Sequence, residues 1–354
     1  MYSIYQHWDP LKVCIVGRSY SPTFYSFIKD SHVRQIFERI AEETEEDYQK
    51  LVLLLEKFNV KILRPDLTDD SEFYRINGGR IAPPPMLPRD HSIMLGNKFY
   101  FRTQPDTTNP DSWDDKLVPL ASDKATWGGV LDHVRQTNPV YNIAQQGLHP
   151  ANSSTMTRIG RDIYVGTWAP GDLQQDRIRN LNKSYPEYRW HSVDTGGHSD
   201  GVFCPVKPGL IVSLRDVPTY AETFPGWEVV YLPNQSWDLV KPFLDLKKKN
   251  QGKWWVPGAE LNDEFTTYVE SWLDHWVGYV EESVFDVNML VIDEKNVVCN
   301  NYNKTVFDAF DRHGITPHIV NFRHRYFWDS GLHCITSDVS RDGTMQDYFP
   351  ERTI

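Results

Sequence analysis

The segment Gly331-Leu332-His333-Cys334-Ile335-Thr336-Ser337-Asp338 sets a cysteine beside a histidine in an apolar, strand-like run. A thiolate is a strong nucleophile once a base and a positioned electrophile are within reach. Gly196-Gly197-His198-Ser199-Asp200-Gly201 offers a base and a carboxylate, and Pro88-Arg89-Asp90 offers a second carboxylate. Two carboxylates around a thiol and an imidazole suit a planar cation. Opposed carboxylates match the fork of N–H donors on a guanidinium, and the thiol is then free to attack its central carbon. Taken singly, each residue has a plainer reading. Cysteine is often buried as a small hydrophobe, and Asp90, Asp200 and His198 are ordinary turn residues. Their company is what argues for chemistry.

The elements between these segments must bring them together. Four apolar runs with a central turn read as β-hairpins: 92–101 turning at Gly96-Asn97, 158–166 at Gly160-Arg161-Asp162, 202–213 at Pro208-Gly209, and 288–299 around Asp293-Glu294-Lys295. A strand over 12–17 and one around Cys334 would complete a fifth unit by joining the two ends of the sequence. Asp90, Asn152, and His198 with Asp200 each stand just before a hairpin. Asn288 opens the fourth, and Cys334 belongs to the closing unit. A ring of repeated β units would gather all of them at one central channel. Helices are expected over 32–58, where Val33, Ile36, Ile40, Leu51, Leu54 and Leu55 follow a helical period, over 304–313, ended by Gly314, and over 262–276. Trp272 and Trp276 in the last of these read as core or interface.

Composition bounds the partners. A net charge of −11 argues against a general nucleic-acid binder, because neutralising phosphates takes clustered Lys and Arg. The one basic run, Lys247-Lys248-Lys249 with Lys253, reads as a solvated loop. No apolar stretch approaches the roughly 20 residues that span a bilayer, and Met1-Tyr2-Ser3-Ile4 lacks the features of a signal peptide. The four cysteines have no CxxC spacing, so neither a disulfide framework nor a zinc site is expected. A reducing, cytoplasmic setting follows.

The motifs resemble those of the amidinotransferases of the guanidino-modifying superfamily, the penteins. His7-Trp8-Asp9-Pro10-Leu11 with Val13-Cys14-Ile15-Val16-Gly17 is similar to the family's opening strand. Pro88-Arg89-Asp90, Arg158-Ile159-Gly160-Arg161-Asp162, His198-Ser199-Asp200 and residues 331–338 are similar to its later motifs. The resemblance implies an α/β fold, a five-module pseudosymmetric propeller over 1–354 as one domain, with the site in the central channel. It implies Cys334 as nucleophile on arginine, His198 as acid and base, and Asp90 with Asp200 as a guanidinium clamp. Arg215 stands near the position that would bind the substrate carboxylate. The substrates would be arginine and an amine acceptor such as glycine, with ornithine released, no metal or organic cofactor, and a homodimer compatible with the sequence. The chain departs from the family at Asn152, where a carboxylate normally orients the histidine, and Thr155 replaces a second position that is often acidic. Two alternatives stay open: an arginine hydrolase of the same superfamily, and a guanidinium-binding relative impaired by Asn152.

Overall fold

The computed structural model describes residues 1–67, 84–102, 121–143, 146, 148, 153–166, 171–195, 198–214, 220–232, 256, 258–259, 262–272 and 286–352. Its strands form five three-stranded sheets. The first joins β1 (Leu11–Val16) and β2 (Lys61–Leu63) to a strand from the far end of the sequence. The second holds β3 (Ser92–Leu95), β4 (Lys98–Phe101) and β5 (Val140–Asn142), and the third β6 (Met156–Ile159), β7 (Asp162–Gly166) and β8 (Arg189–Val193). The fourth holds β9 (Phe203–Lys207), β10 (Leu210–Ser213) and β11 (Glu228–Tyr231). The fifth holds β12 (Leu290–Asp293), β13 (Asn296–Cys299) and β14 (Thr316–Ile319).

One pattern repeats. An antiparallel hairpin comes first, and a third strand then lies parallel to the hairpin's second strand. Parallel neighbours need a crossover, and helices supply it. Ser31–Lys57, Ala121–Arg135, Gly171–Ser184, Tyr220–Thr223 and Lys304–Arg312 fill the five crossovers in order. In the first sheet the hairpin is split between the two ends of the sequence. The closing strand β15 (Thr336–Arg341) runs antiparallel to β1, with Cys14 opposite Asp338 and Ile15 opposite Ser337. The ring is therefore closed by sheet pairing, as expected from the sequence, and the fold is a five-module α/β propeller. The four expected hairpins are present within two residues of their expected limits. Cys334 itself is not in a strand: it lies in the turn that leads into β15. A turn leaves a side chain free of the pleat, and that suits a reactive group.

The first strands β3 and β6 are buried along their length, so even polar residues there face protein. At the centre, Asp338 is fully buried and is met by three arginines. Arg89 Nη2 lies 3.1 Å from it, Arg158 Nη2 2.9 Å and Arg341 Nε 2.8 Å. Burial works against the Asp338 charge, but these guanidinium groups outweigh it and hold the carboxyl well below the usual carboxylate range.

The 27-residue helix Ser31–Lys57 starts where the Asp30 carboxylate accepts from the N–H groups of His32 and Val33, at 2.9 and 3.1 Å. Its buried face, including Val33, Phe37, Ile40, Leu51 and Leu55, returns every three or four residues. Phe37 packs on Phe265 and Tyr268 of the helix Asp263–Trp272. The later part of the helix expected over 262–276, with Trp276, and the lysine run at 247–249 lie outside the described residues. Among the described residues no helix is long and apolar enough to cross a membrane.

Candidate active site

All five modules begin at the same end of the ring, and the chain just before each first strand builds the site. Asp90 lies in the helical turn Pro88–His91 before β3, and Ser153 and Ser154 precede β6. Asp200 sits in the turn Ser199–Gly201 before β9, Asn288 precedes β12, and His333 with Cys334 precedes β15.

Hydrogen bonds pass from each entry turn to the next around the full circle. Ser153 donates from N and Oγ to the Ser92 carbonyl, at 3.1 and 2.5 Å. Ser199 N donates to the Ser154 carbonyl at 2.8 Å, and Ser199 Oγ to the Thr155 carbonyl at 3.0 Å. Asn288 Nδ2 donates to the Asp200 carbonyl at 3.2 Å, and His333 N donates to Asn288 Oδ1 at 2.8 Å. Arg89 Nε, one residue from Asp90, closes the circle on the carbonyls of His333 and Thr336 at 2.7 and 2.8 Å. The five turns are thus mutually fixed, and preorganisation of that kind is what positioned catalytic groups require.

Cys334 is buried, with Sγ 3.0 Å from Asn288 Nδ2 and 3.6 Å from Asp200 Oδ2. The same Asp200 oxygen lies 2.8 Å from His333 Nδ1. A carboxylate only accepts, so Nδ1–H donates and fixes the tautomer. Burial, helped by the charge of Arg89, pushes the His333 imidazole down to about 4, and it is neutral at neutral pH. For Asp200, burial is opposed by the hydrogen bond and electrostatic pull of His333 and by the fields of His198 and Arg89, and the carboxyl is held below its ordinary range. Its second oxygen, Oδ1, is buried with no hydrogen-bond partner among the described residues. Asp90 goes the other way. Burial and the like charge of Asp200 raise it, against the pull of His198, a Ser154 hydrogen bond and Arg89. His198 is partly buried and acts electrostatically on both carboxylates. Asp200 and His333 also line, with His7, Ser153 and Thr157, a small cavity of about 10 Å³, room for about one water molecule.

Of the expected site residues, Cys334 and Asp200 are in direct contact, and His198 and Asp90 are electrostatically coupled to Asp200. Asn152 and Arg215 lie outside the described residues, as do Gly196 and Gly197. Sequence reasoning placed Asn288 with the residues gathered at the channel but gave it no role, gave Arg89 no part, and did not foresee the His333–Asp200 bond. Among the described residues no group of three or more His, Cys, Asp and Glu side chains is arranged to hold a metal ion.

No family model matches the chain. Similarity to individual proteins nevertheless covers nearly all of it. It is 24% identical over 403 residues to the mitochondrial glycine amidinotransferase of Gallus gallus, spanning 98% of this chain and 84% of that protein. It is 21% identical over 395 residues to the L-arginine:L-lysine amidinotransferase of Pseudomonas savastanoi pv. phaseolicola, spanning 97% and 95%. Among solved structures, SxtG, an amidinotransferase of the saxitoxin biosynthetic pathway in Microseira wollei, superposes with a TM-score of 0.66 at 17% identity, over 98% of this chain and 99% of that one. The pentein propeller is therefore the fold, and the amidinotransferase resemblance read from short motifs extends over the full length.

Proposed function

We propose that this relative of the pentein amidinotransferases moves the amidino group of arginine, through Cys334, to an amine acceptor. The observation that carries this reading is the Cys334 sulfur, 3.6 Å from a buried carboxylate oxygen of Asp200, at the end of the ring where Asp90 and His198 also gather.

In this reading Asp90 and Asp200 hold the guanidinium, and Asp200 Oδ1, which has no hydrogen-bond partner among the described residues, takes an N–H. The thiol proton passes to His198 and the sulfur adds to the central carbon, forming a C–S bond. His198 returns that proton to the departing nitrogen as the C–N bond breaks, so ornithine leaves and an amidino-thioether remains. The acceptor amine then adds, His198 takes its proton, and the C–S bond breaks. His198 finally returns a proton to the sulfur. Asn152 would orient His198 through its amide oxygen, and Arg215 would take the substrate carboxylate. The chain works as one unit over 1–354, and the mechanism calls for no metal or organic cofactor. Glycine and lysine are the first acceptors to try, because they appear in the relatives' names.

The test is intact-protein mass spectrometry after brief incubation with arginine alone, with Cys334→Ala in parallel. An amidino adduct on the parent only, with ornithine released and the adduct discharged by an added amine, is expected. Citrulline or urea in place of acceptor product would redirect the reading to a hydrolase. No adduct, ornithine or citrulline from folded protein would overturn it.

A further inference from the structure

We infer that Asn288 is a catalytic residue: its side-chain amide donates a hydrogen bond to the Cys334 sulfur and stabilises it as the thiolate that attacks. The inference rests on Cys334 being the nucleophile and adds the group that readies it.

Asn288 is fully buried, and its amide makes four hydrogen bonds, as many as an amide can. Oδ1 accepts from the backbone N–H of His333 at 2.8 Å and of Cys334 at 3.2 Å. Nδ2 donates to the Asp200 carbonyl at 3.2 Å and to Sγ at 3.0 Å. The orientation of the amide follows from its partners. Turned over, it would set NH₂ against two N–H donors and its oxygen against a carbonyl oxygen, losing at least three bonds. The group at the sulfur is therefore an N–H, which can only donate.

A second polar neighbour of Sγ among the described residues is the Asp200 carboxylate, which can only accept. The two have opposite preferences. A thiol has its proton for Asp200 and gains little from Asn288; a thiolate is repelled by Asp200 and gains a charge-assisted bond from Asn288. Of these two contacts, the Asn288 amide is thus the one that works in favour of the reactive form. Neighbouring residues hold it in place. Asn300 Nδ2 donates to the Asn288 carbonyl at 3.0 Å, and a Cβ at Gly331 would lie 2.4 Å from Asn288 Oδ1 and 2.7 Å from its Cβ and Cγ. A glycine at 331 is what lets the amide reach the turn.

Asn288→Asp keeps the shape and the Oδ1 acceptor but replaces the donor by a carboxylate oxygen. The readout is the rate of Cys334 alkylation by iodoacetamide against pH, without arginine, followed by peptide mass mapping, with Cys334→Ala as the blank. In that reaction the C–S bond forms, iodide leaves and the thiol proton goes to water. The variant should react at least tenfold more slowly at neutral pH, with its profile displaced upward by a pH unit or more and a similar rate at the alkaline plateau. Gly331→Ala, which displaces the amide without changing its charge, should shift the profile the same way, and it decides the matter if Asn288→Asp does not fold. An unshifted profile in a folded variant overturns the inference. A wild-type protein with the expected alkylation behaviour but no arginine adduct would sink amidino transfer and leave the role of Asn288 intact.

Discussion

Asp90 and Asp200 repel one another while His198 pulls on both, and a bound guanidinium would relieve the repulsion by pairing with each carboxylate. Asp90→Asn removes one arm of the proposed clamp and keeps both Cys334 and Asn288. Loss of one side of a desolvated charge pair costs about 2 kcal/mol or more, so kcat/KM for arginine should fall at least ~30-fold. Iodoacetamide alkylation of Cys334 should not slow, since a nearby negative charge has been removed. Steady-state kinetics beside alkylation rates separate the two, and a fall in both would mean that Asp90 supports the fold rather than the substrate. Asp90, Asp200, His198 and Cys334 could be picked out of the sequence because each stands in a short motif beside glycine, proline or a second polar residue. Asn288 could not. Its role consists of bonds to residues 45, 46 and 88 positions away, and no local pattern encodes them.

At the level of elements, the hairpins were legible because their inner and middle strands are apolar and their turns carry Gly or Asp. The third strands were not. β2, β5 and β14 are three or four residues long and no residue in them is fully buried, so neither alternation nor an apolar run marks them. Their places come from the crossover helices and the parallel register, which are tertiary facts. The hairpin turns lie at the opposite end of the modules from the entry turns, and the β6–β7 turn shows what that end does. Gly160 has φ +64°, and a Cβ there would lie 2.1 Å from the Gln346 carbonyl oxygen, which accepts from Arg161 N at 2.8 Å. That contact helps hold the C-terminal segment, which Arg189 also ties down by donating to the carbonyls of Phe349 and Arg352. Gly160→Ala should therefore lower the unfolding free energy by about 1–3 kcal/mol, from positive φ and collision together. Its kcat/KM for arginine should stay within about threefold of the parent, because the site is at the other end of β6. Urea unfolding and kinetics on one preparation check both statements; a large loss of activity without a loss of stability would contradict the separation of the two ends.

Over the whole molecule, the Asp338 cluster does for the interior what the ring of entry turns does for the site. Its three arginines come from the segments before β3, in β6 and in β15, and they reach on to the carbonyls of Met94, Val291, Asp9 and His333. Of the three, Arg89 also acts beyond the cluster, where its charge helps hold Asp200 ionised. Asp338→Asn would leave all three cations without their anion, a change that costs about 3–5 kcal/mol when one partner of a buried pair is removed. The pH dependence separates this charge from the histidines. Asp338 titrates well below its ordinary value in the folded protein, so its contribution is fully present above the unfolded pKa near 3.9 and fades only as pH falls through the lower folded value. His333 behaves differently. It titrates at about 4 when folded against 6.5 when unfolded, and His7 is depressed in the same direction, chiefly by burial. Between about pH 6.5 and 4 the unfolded chain binds protons that the folded one refuses, so stability must decline as pH falls through that window. Urea unfolding of the parent and of Asp338→Asn from pH 8 to pH 5 should therefore give two curves separated by a nearly constant gap, both sloping down below pH 6.5. A gap that closes toward pH 5 would mean that Asp338 is already taking up its proton there, and that three arginines do not hold it ionised.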